Sequence, residues 1–398
     1  MNAILDLLAT GLISLPVWGY VAVVLVLTHV TIVAVTIYLH RCQAHRSVDL
    51  HPAVSHFFRF WLWLTTGMRT IEWVAIHRKH HAHTETENDP HSPHQVGIWK
   101  VLLEGAELYR DEAKNQETLD KYGHGTPDDW IERNVYSRFE IGGIVLMGAL
   151  ALSLFGALGL TVWAIQMIWI PLWAAGVING LGHYLGYRNF ESADGSTNLT
   201  PLGLLIGGEE MHNNHHAFPS SAKFSQRWYE FDVGWFYLRI LSALGLARIK
   251  RVAPSPTIDP AKKTVDFETV KAVVVGRMHV MRTYATSVTL PVLRAELKRA
   301  DSQYRDLLKR ARRALVREES RMDERAKARR DTALRVNERL HTVYEYRRRL
   351  QELFASRTAN QERLVQSLQE WCANAEASGI KALQDFAAHI RGYRLKAT

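Results

Sequence analysis

Cysteine is nearly absent. Cys42 and Cys372 are the only two in 398 residues, one beside an apolar run and the other in a charged tail about 330 positions away. No structural disulfide is expected, and an iron–sulfur cluster, which takes about four thiolates, is excluded. No glycine-rich nucleotide fingerprint is present either, so any electrons must come from an outside partner. Charge is missing from two long stretches, Leu7 to His40 and the 47 residues from Ile141 to Tyr187. Proline is missing from Val292 to Thr398, and glycine between Arg277 and Ser378. With 47% hydrophobic and 22% charged residues, these absences exclude a disordered chain, a collagen-like chain and a disulfide scaffold.

The charge-free runs read as membrane helices. A span needs about 20 apolar residues; Val17 to Leu39 supplies one, and Ile141 to Tyr187, about 70 Å long as a helix, supplies two with a turn at Gly156 and Gly159. Ile4 to Leu15 is too short to cross alone and reads as a short or re-entrant helix; without a charged leading region it does not read as a cleavable signal. Ala53 to Ile71 is apolar and aromatic, but Arg59 and Arg69 would be costly at the bilayer centre, so an interfacial helix is expected. Twelve Lys or Arg lie between His40 and Glu140 and none in the turn between the later spans, which points that region and everything after Tyr187 to the cytoplasm.

After Lys250, Pro254, Pro256 and Pro260 suggest a linker. Between Arg294 and Arg349 nineteen Lys or Arg face ten Asp or Glu, so this segment alone carries the chain's net charge of +9. Apolar residues recur at helical spacing at Leu293, Leu297, Tyr304, Leu307, Ala311 and Leu315, and again at Val336, Leu340, Val343, Leu350 and Leu353. They thin out between Arg317 and Arg335. The expectation is a solvated, charged helical hairpin bending at Ser356 to Asn360 and returning along Leu364 to Leu395; the alternatives to a merely solvated surface are binding of anionic lipid headgroups or docking of an acidic redox donor, and nucleic acid is not expected.

Eight of the nineteen histidines fall into three clusters: His40 and His45; His77, His80 and His81; His212, His215 and His216. Residues i, i+3 and i+4 lie on one helical face, so each His-x-x-His-His triplet can aim several imidazoles at one point. His40 and His45, five apart, cannot share a face of one straight helix but can converge where a span ends. Asn179 and His183, four apart near the end of the last span, add a ninth imidazole and an amide. His29, His51, His56, His83, His91, His94 and His124 read as core or surface residues. Imidazole suits zinc, copper, iron or nickel; nine rings exceed the needs of one ion and favour two metals, redox metals being able to activate oxygen against a hydrocarbon. No zinc-protease His-Glu-x-x-His pattern occurs.

The motifs EWVAIHRKHH (Glu72 to His81), NDPHS (Asn88 to Ser92), NGLGHYLGYR (Asn179 to Arg188) and GEEMHNNHHAFP (Gly208 to Pro219) resemble those of the membrane-bound fatty acyl desaturases, specifically the Δ9 type typified by stearoyl-CoA desaturase. The resemblance runs from about Val17 to Val252. It implies an all-α integral membrane protein of the histidine-rich diiron fold, with about four transmembrane helices to which the N-terminal stub contributes, and a cytoplasmic cap. It implies two iron ions held by His40, His45, His77, His80, His81, His183, His212, His215 and His216, with Asn179 acting through a water. The implied reaction is O2-dependent insertion of a cis double bond into a saturated acyl chain, with electrons from a ferredoxin, cytochrome b5 or a flavoprotein reductase. The implied site of action is the inner (cytoplasmic) membrane.

Acyl-CoA members commonly carry polar residues where Met68, Ala75 and Ile76 stand here, so acyl-CoA and membrane phospholipid both remain open as carriers. Trp61, Trp63, Trp73 and Trp169 are candidates for lining the acyl channel, although packing or anchoring at the interface is the favoured reading of each. The expected domains are 1–252, the membrane desaturase domain with its cap; 253–290, a linker; and 291–398, a long basic helical C-terminal extension. The competing readings are an alkane- or sterol-type diiron hydroxylase and a non-enzymatic metal-binding membrane protein.

Overall fold

A computed structural model describes residues 8–355 and 360–395. The chain divides into two compact units: Met1–Arg188 with Asp194–Ala253, and Asn189–Ala193 with Pro254–Thr398.

In the first unit, helix α1 runs Val17–Ala44 from the helix-starting Pro16. Its first part is an ordinary α-helix; over Val35–Ala44 the winding widens, so that bonds close on the fifth residue, as in His45 N–H to His40 O at 3.0 Å. Helices α2 (Pro52–Thr65), α3 (Thr70–His83), α4 (Ile98–Ala113), α5 (Gln116–Tyr122), α6 (Glu140–Phe155), α7 (Ala157–Leu181), α8 (His212–Ala217) and α9 (Val233–Ala243) follow. The short strands Val48–Leu50 and Ala247–Ile249 pair antiparallel. Among the described residues two helices, α1 and α7, are long and apolar enough to cross a membrane; α6 is apolar and has 16 residues.

The turn between α6 and α7 comes at Gly156, while Gly159 lies inside α7; Gly156 has φ of 62°, open to glycine and strained for other residues. Gly11 (φ 70°) lies so close that a Cβ there would fall 2.4 Å from Gly156 N. Leu12 and Ile13 donate to Ser153 O and Leu154 O at 3.0 and 2.8 Å, so the later half of the N-terminal stub is strapped to this turn; its first residues, 4–7, lie outside the described residues.

The two costly arginines are paired. On α2, Arg59 donates to Asp129 at 2.6 and 3.0 Å and to Glu132 at 2.9 Å, and Arg69 donates to Glu72 at 3.0 Å. A fully buried ion pair, Arg41 to Asp232 at 2.9 Å, ties the end of α1 to the start of α9. Gly208 and Gly234 crowd this guanidinium so closely that a Cβ at either would meet it.

The second unit departs from the expected linker and hairpin. Within the stretch read as a linker, Phe267–Val275 and Arg277–Tyr284 are helices, whose Val270, Val273, Val280 and Tyr284 are buried in one core. Further helices span Leu290–Arg299, Ser302–Ala311, Glu324–Val336, Glu338–Ala355, Gln361–Ala377 and Lys381–Arg391. Their apolar stripes meet in that core, with Leu293, Leu308, Leu340, Val343, Leu350 and Trp371 at its heart. Where the stripe thins, the helix breaks, leaving a short turn at Glu319–Arg321. The basic segment is thus the surface of a packed helical unit and not an isolated solvated hairpin. Of the bend expected at Ser356 to Asn360, residues 356–359 lie outside the described residues.

Candidate metal centre

The first unit gathers all nine candidate imidazoles. They form two groups, in each of which the ligand nitrogens lie within 4.8 Å of one another: His40, His45, His77, His81 and His215, and His80, His183, His212 and His216. The wide winding at the end of α1 carries His45 round to the face of His40, with ring centres 4.8 Å apart, which a straight α-helix would not do for residues five apart.

Each His-x-x-His-His triplet splits between the groups instead of serving one point. At about 100° per residue, positions i and i+4 are about 40° apart while i+3 falls on the other side. His77 and His81 therefore go to the five-imidazole group and His80 to the other, whereas His212 and His216 go to the four-imidazole group and His215 crosses to the first. Two triplets arranged in opposite senses build two sites. The carrier helices are α3 and α8, and His183 joins from just beyond α7.

The nitrogens face one another: His45 Nε2 to His77 Nε2 at 2.8 Å, His215 Nε2 to His81 Nε2 at 2.8 Å and to His40 Nε2 at 3.1 Å, and His212 Nε2 to His183 Nε2 at 2.9 Å. Metal–nitrogen bonds of about 2.1 Å at right angles would set neighbouring nitrogens roughly 3 Å apart. Among the described residues, His80 Nε2, His216 Nε2, His212 Nδ1 and His215 Nδ1 are buried without a hydrogen-bond partner. Burial pushes the imidazoles of His77, His81, His212 and His215 well below their ordinary value, and that of His45 down to about 3. These rings are neutral and offer a lone pair, the form a metal needs. The donor set fits metal ions.

The outer nitrogens meet carboxylates that sequence reasoning did not single out. His40 Nδ1 faces Glu209 Oε1 at 2.5 Å, His80 Nδ1 faces Asp89 Oδ1 at 3.0 Å, His183 Nδ1 faces Glu85 Oε1 at 3.4 Å and His216 Nδ1 faces Asp194 Oδ2 at 3.1 Å. Burial works to raise the Asp89 and Asp194 carboxyls, but the facing imidazoles of His80 and His216 outweigh it and hold both below the ordinary range. His91, read as a core or surface residue, is in fact beside the centre: its ring stacks on His80 with centres 4.5 Å apart. Its membership of the NDPHS motif together with Asp89 was the available signal.

Next to the five-imidazole group lies a cavity of about 600 Å³, within the roughly 300–1,000 Å³ of small-molecule sites. Its wall includes His77, His91, Asn179 and Trp73, and apolar residues such as Ile144, Met167 and Ile170. Asn179 therefore faces this cavity. Trp73 stacks on His77 with centres 4.8 Å apart. The other tryptophans do not line it: the indole N–H groups of Trp61, Trp63 and Trp169 donate to Thr31 Oγ1, Phe139 O and Leu205 O. Met68 and Ile76, at two of the three positions where polar residues were absent, do line it.

Residues 16–243 match the family model described as fatty acid desaturase. The chain belongs to the fatty acid desaturase family. It is 31% identical over 234 residues to Delta-9 acyl-lipid desaturase 1 of Arabidopsis thaliana, covering 58% of this chain and 74% of that one. It is 30% identical over 239 residues to sn-1 stearoyl-lipid 9-desaturase of Anabaena variabilis, covering 59% and 85%. Acyl-CoA 5-desaturase AL21 of Anemone leveillei is 30% identical over 231 residues, covering 53% and 65%. Residues 262–397 are similar to a second family model, described as transposase. The desaturase is an oxidoreductase of a membrane-associated, iron-using family, and its histidine groups are able to hold metal.

Proposed function

We propose that this desaturase inserts a cis double bond at the Δ9 position of a saturated acyl chain esterified in membrane phospholipid. Two irons would be held, one by His40, His45, His77, His81 and His215 and the other by His80, His183, His212 and His216, with Asn179 contributing through a water. The observation that carries the reading is the juxtaposition of two buried imidazole groups with a cavity of about 600 Å³ whose wall is largely apolar and also includes Glu72, Arg110, Lys114 and Glu140. When bound, the iron pair supplies the oxygen activation that an unactivated methylene requires. The protein's own task is positioning: an alkyl chain has no polar handle, so Ile144, Met167 and Ile170 hold it by shape and exclude water, while His77 and Trp73 form the wall past which the reacting carbons lie.

Overall, two neighbouring methylenes lose two hydrogens, and O2 with two donor electrons and two protons leaves as two waters. The electrons would come from a ferredoxin, cytochrome b5 or a flavoprotein reductase. Phospholipid is favoured over acyl-CoA as carrier because Met68 and Ile76 present apolar surface to the cavity. The acyl-lipid names of two of the relatives agree with this preference. About four crossings of the inner membrane, with the metal centre on the cytoplasmic side, complete the proposal.

The test is lipid analysis of cells expressing the chain, fed either labelled acyl-CoA or labelled phospholipid. The expected product is a Δ9 cis-unsaturated chain appearing in phospholipid without passage through CoA. An alcohol product would instead indicate a hydroxylase, and bound metal without oxygen consumption on any lipid a non-enzymatic metal protein.

A further inference from the structure

The nine imidazoles are chemically identical, but their surroundings are not. In the four-imidazole group three rings have a carboxylate at Nδ1: His80 with Asp89 at 3.0 Å, His216 with Asp194 at 3.1 Å and His183 with Glu85 at 3.4 Å. In the five-imidazole group one ring does, His40 with Glu209 at 2.5 Å. Among the described residues, no ion pair to a carboxylate is formed by His45, His77, His81 or His215.

The three carboxylates are themselves held in place. Asp89 Oδ2 accepts from Glu85 N at 2.8 Å and its Oδ1 from His91 N at 3.2 Å. Asp194 Oδ1 accepts from Ser196 N at 3.1 Å, and Glu85 Oε1 from Gly195 N at 2.5 Å. The loop after α3 and the loop around Asp194 are therefore laced together behind one group only.

A carboxylate at Nδ1 keeps the ring proton on that nitrogen, leaves the Nε2 lone pair free, fixes the ring's orientation and raises its basicity. Losing one such partner typically costs about 10–100-fold in metal affinity. The fifth imidazole of the other group works in the opposite direction by adding one bond. Three braced rings against one leave a surplus of two such factors, about 10²–10⁴-fold together, set against that one bond.

We infer that the two metal positions are unequal: the four-imidazole position is the tighter, filled first and emptied last, and Asp89, Asp194 and Glu85 are its positioning residues. This rests on the two-metal reading above.

The experiment uses the full-length protein in detergent, stripped with a chelator and reloaded with Co(II), with bound metal counted during competition by a second chelator. The wild type is expected to bind two ions per chain, one at least about 10-fold more tightly than the other. Asp89→Asn and Asp194→Asn should each weaken the tight class about 10–100-fold and leave the weak class unmoved, while Glu209→Gln should weaken only the weak class. If an Asn variant does not fold, Asp89→Glu or Asp194→Glu, which keeps the charge but displaces it, should show a smaller weakening confined to the same class. Two wild-type ions of equal affinity, or carboxylate variants that weaken both classes alike or neither, would overturn the inference while leaving the two-metal reading intact. Fewer than two ions per wild-type chain would overturn both.

Discussion

The two units place their polar groups in opposite ways. In the first, His40, His80, His183, His212 and His215 are each at most 3% exposed, and Asp89, Glu209, Asp232 and Arg41 are buried with them. In the second, the residues from 254 onward bury mainly aliphatic and aromatic side chains, and of the many arginines Arg330 and Arg347 are the buried ones among the described residues. Burying an ionisable group is costly unless it is paired, so the first unit sacrifices stability to assemble a site, whereas the second is organised as an ordinary folded helical body. The residues that match the fatty acid desaturase family, 16–243, lie almost wholly in the first unit, and each unit should answer differently to the same kind of perturbation.

The largest expected difference comes from removing a ligand. His80→Ala or His215→Ala should abolish double-bond formation, since each takes a nitrogen from a different imidazole group, while the protein still reaches the membrane and the second unit keeps its helices. Retained desaturation in either variant, measured on extracted lipids, would reject that histidine as essential. Next in size is a cavity in the second unit. Leu350, fully buried, should cost about 2–5 kcal/mol of that unit's stability when replaced by Ala, seen as an earlier melting step, with the metal content of the first unit unchanged. Loss of metal in Leu350→Ala would show that the units are not energetically separate.

Part of the site was legible in the sequence, for identifiable reasons. The three histidine clusters stand out in the sequence, but the i, i+3, i+4 spacing suggests one meeting point for each triplet, whereas each triplet divides between two groups. What could not be read were relations that exist only in three dimensions. The spacing allows His40 and His45 to converge at the end of a span but does not mark the widened winding of Val35–Ala44 that brings them together. Glu85 and Asp194 sit in loops with no periodicity, and nothing local marks them as partners of His183 and His216. In the tail, the apolar stripe was correctly seen at Leu340, Val343 and Leu350, but a stripe does not say what it packs on. Val336, on the same count, is 57% exposed. The prolines at 254, 256 and 260 suggest a linker, yet Pro256 opens a strand paired with Tyr393–Leu395.

Acid should separate the units by a smaller but graded effect. Burial lowers His91 to about 3 and pushes His77, His81, His212 and His215 well below their ordinary value. In metal-free protein these rings stay neutral when folded, whereas unfolded histidine takes up a proton near pH 6.5. The unfolded state then binds more protons, so stability rises with pH and is lost as pH falls below 6.5. For His91 the loss continues to about pH 3, at up to about 1.4 kcal/mol per pH unit. In the second unit, His389, which burial also lowers, is only partly enclosed. Chelator-treated protein followed from pH 7 to pH 4 should therefore lose the first unit's structure before the second's, and bound metal should shift that loss to lower pH. Simultaneous loss of both units, or an effect of metal in the opposite direction, would mean that the buried imidazoles do not set the first unit's response to acid.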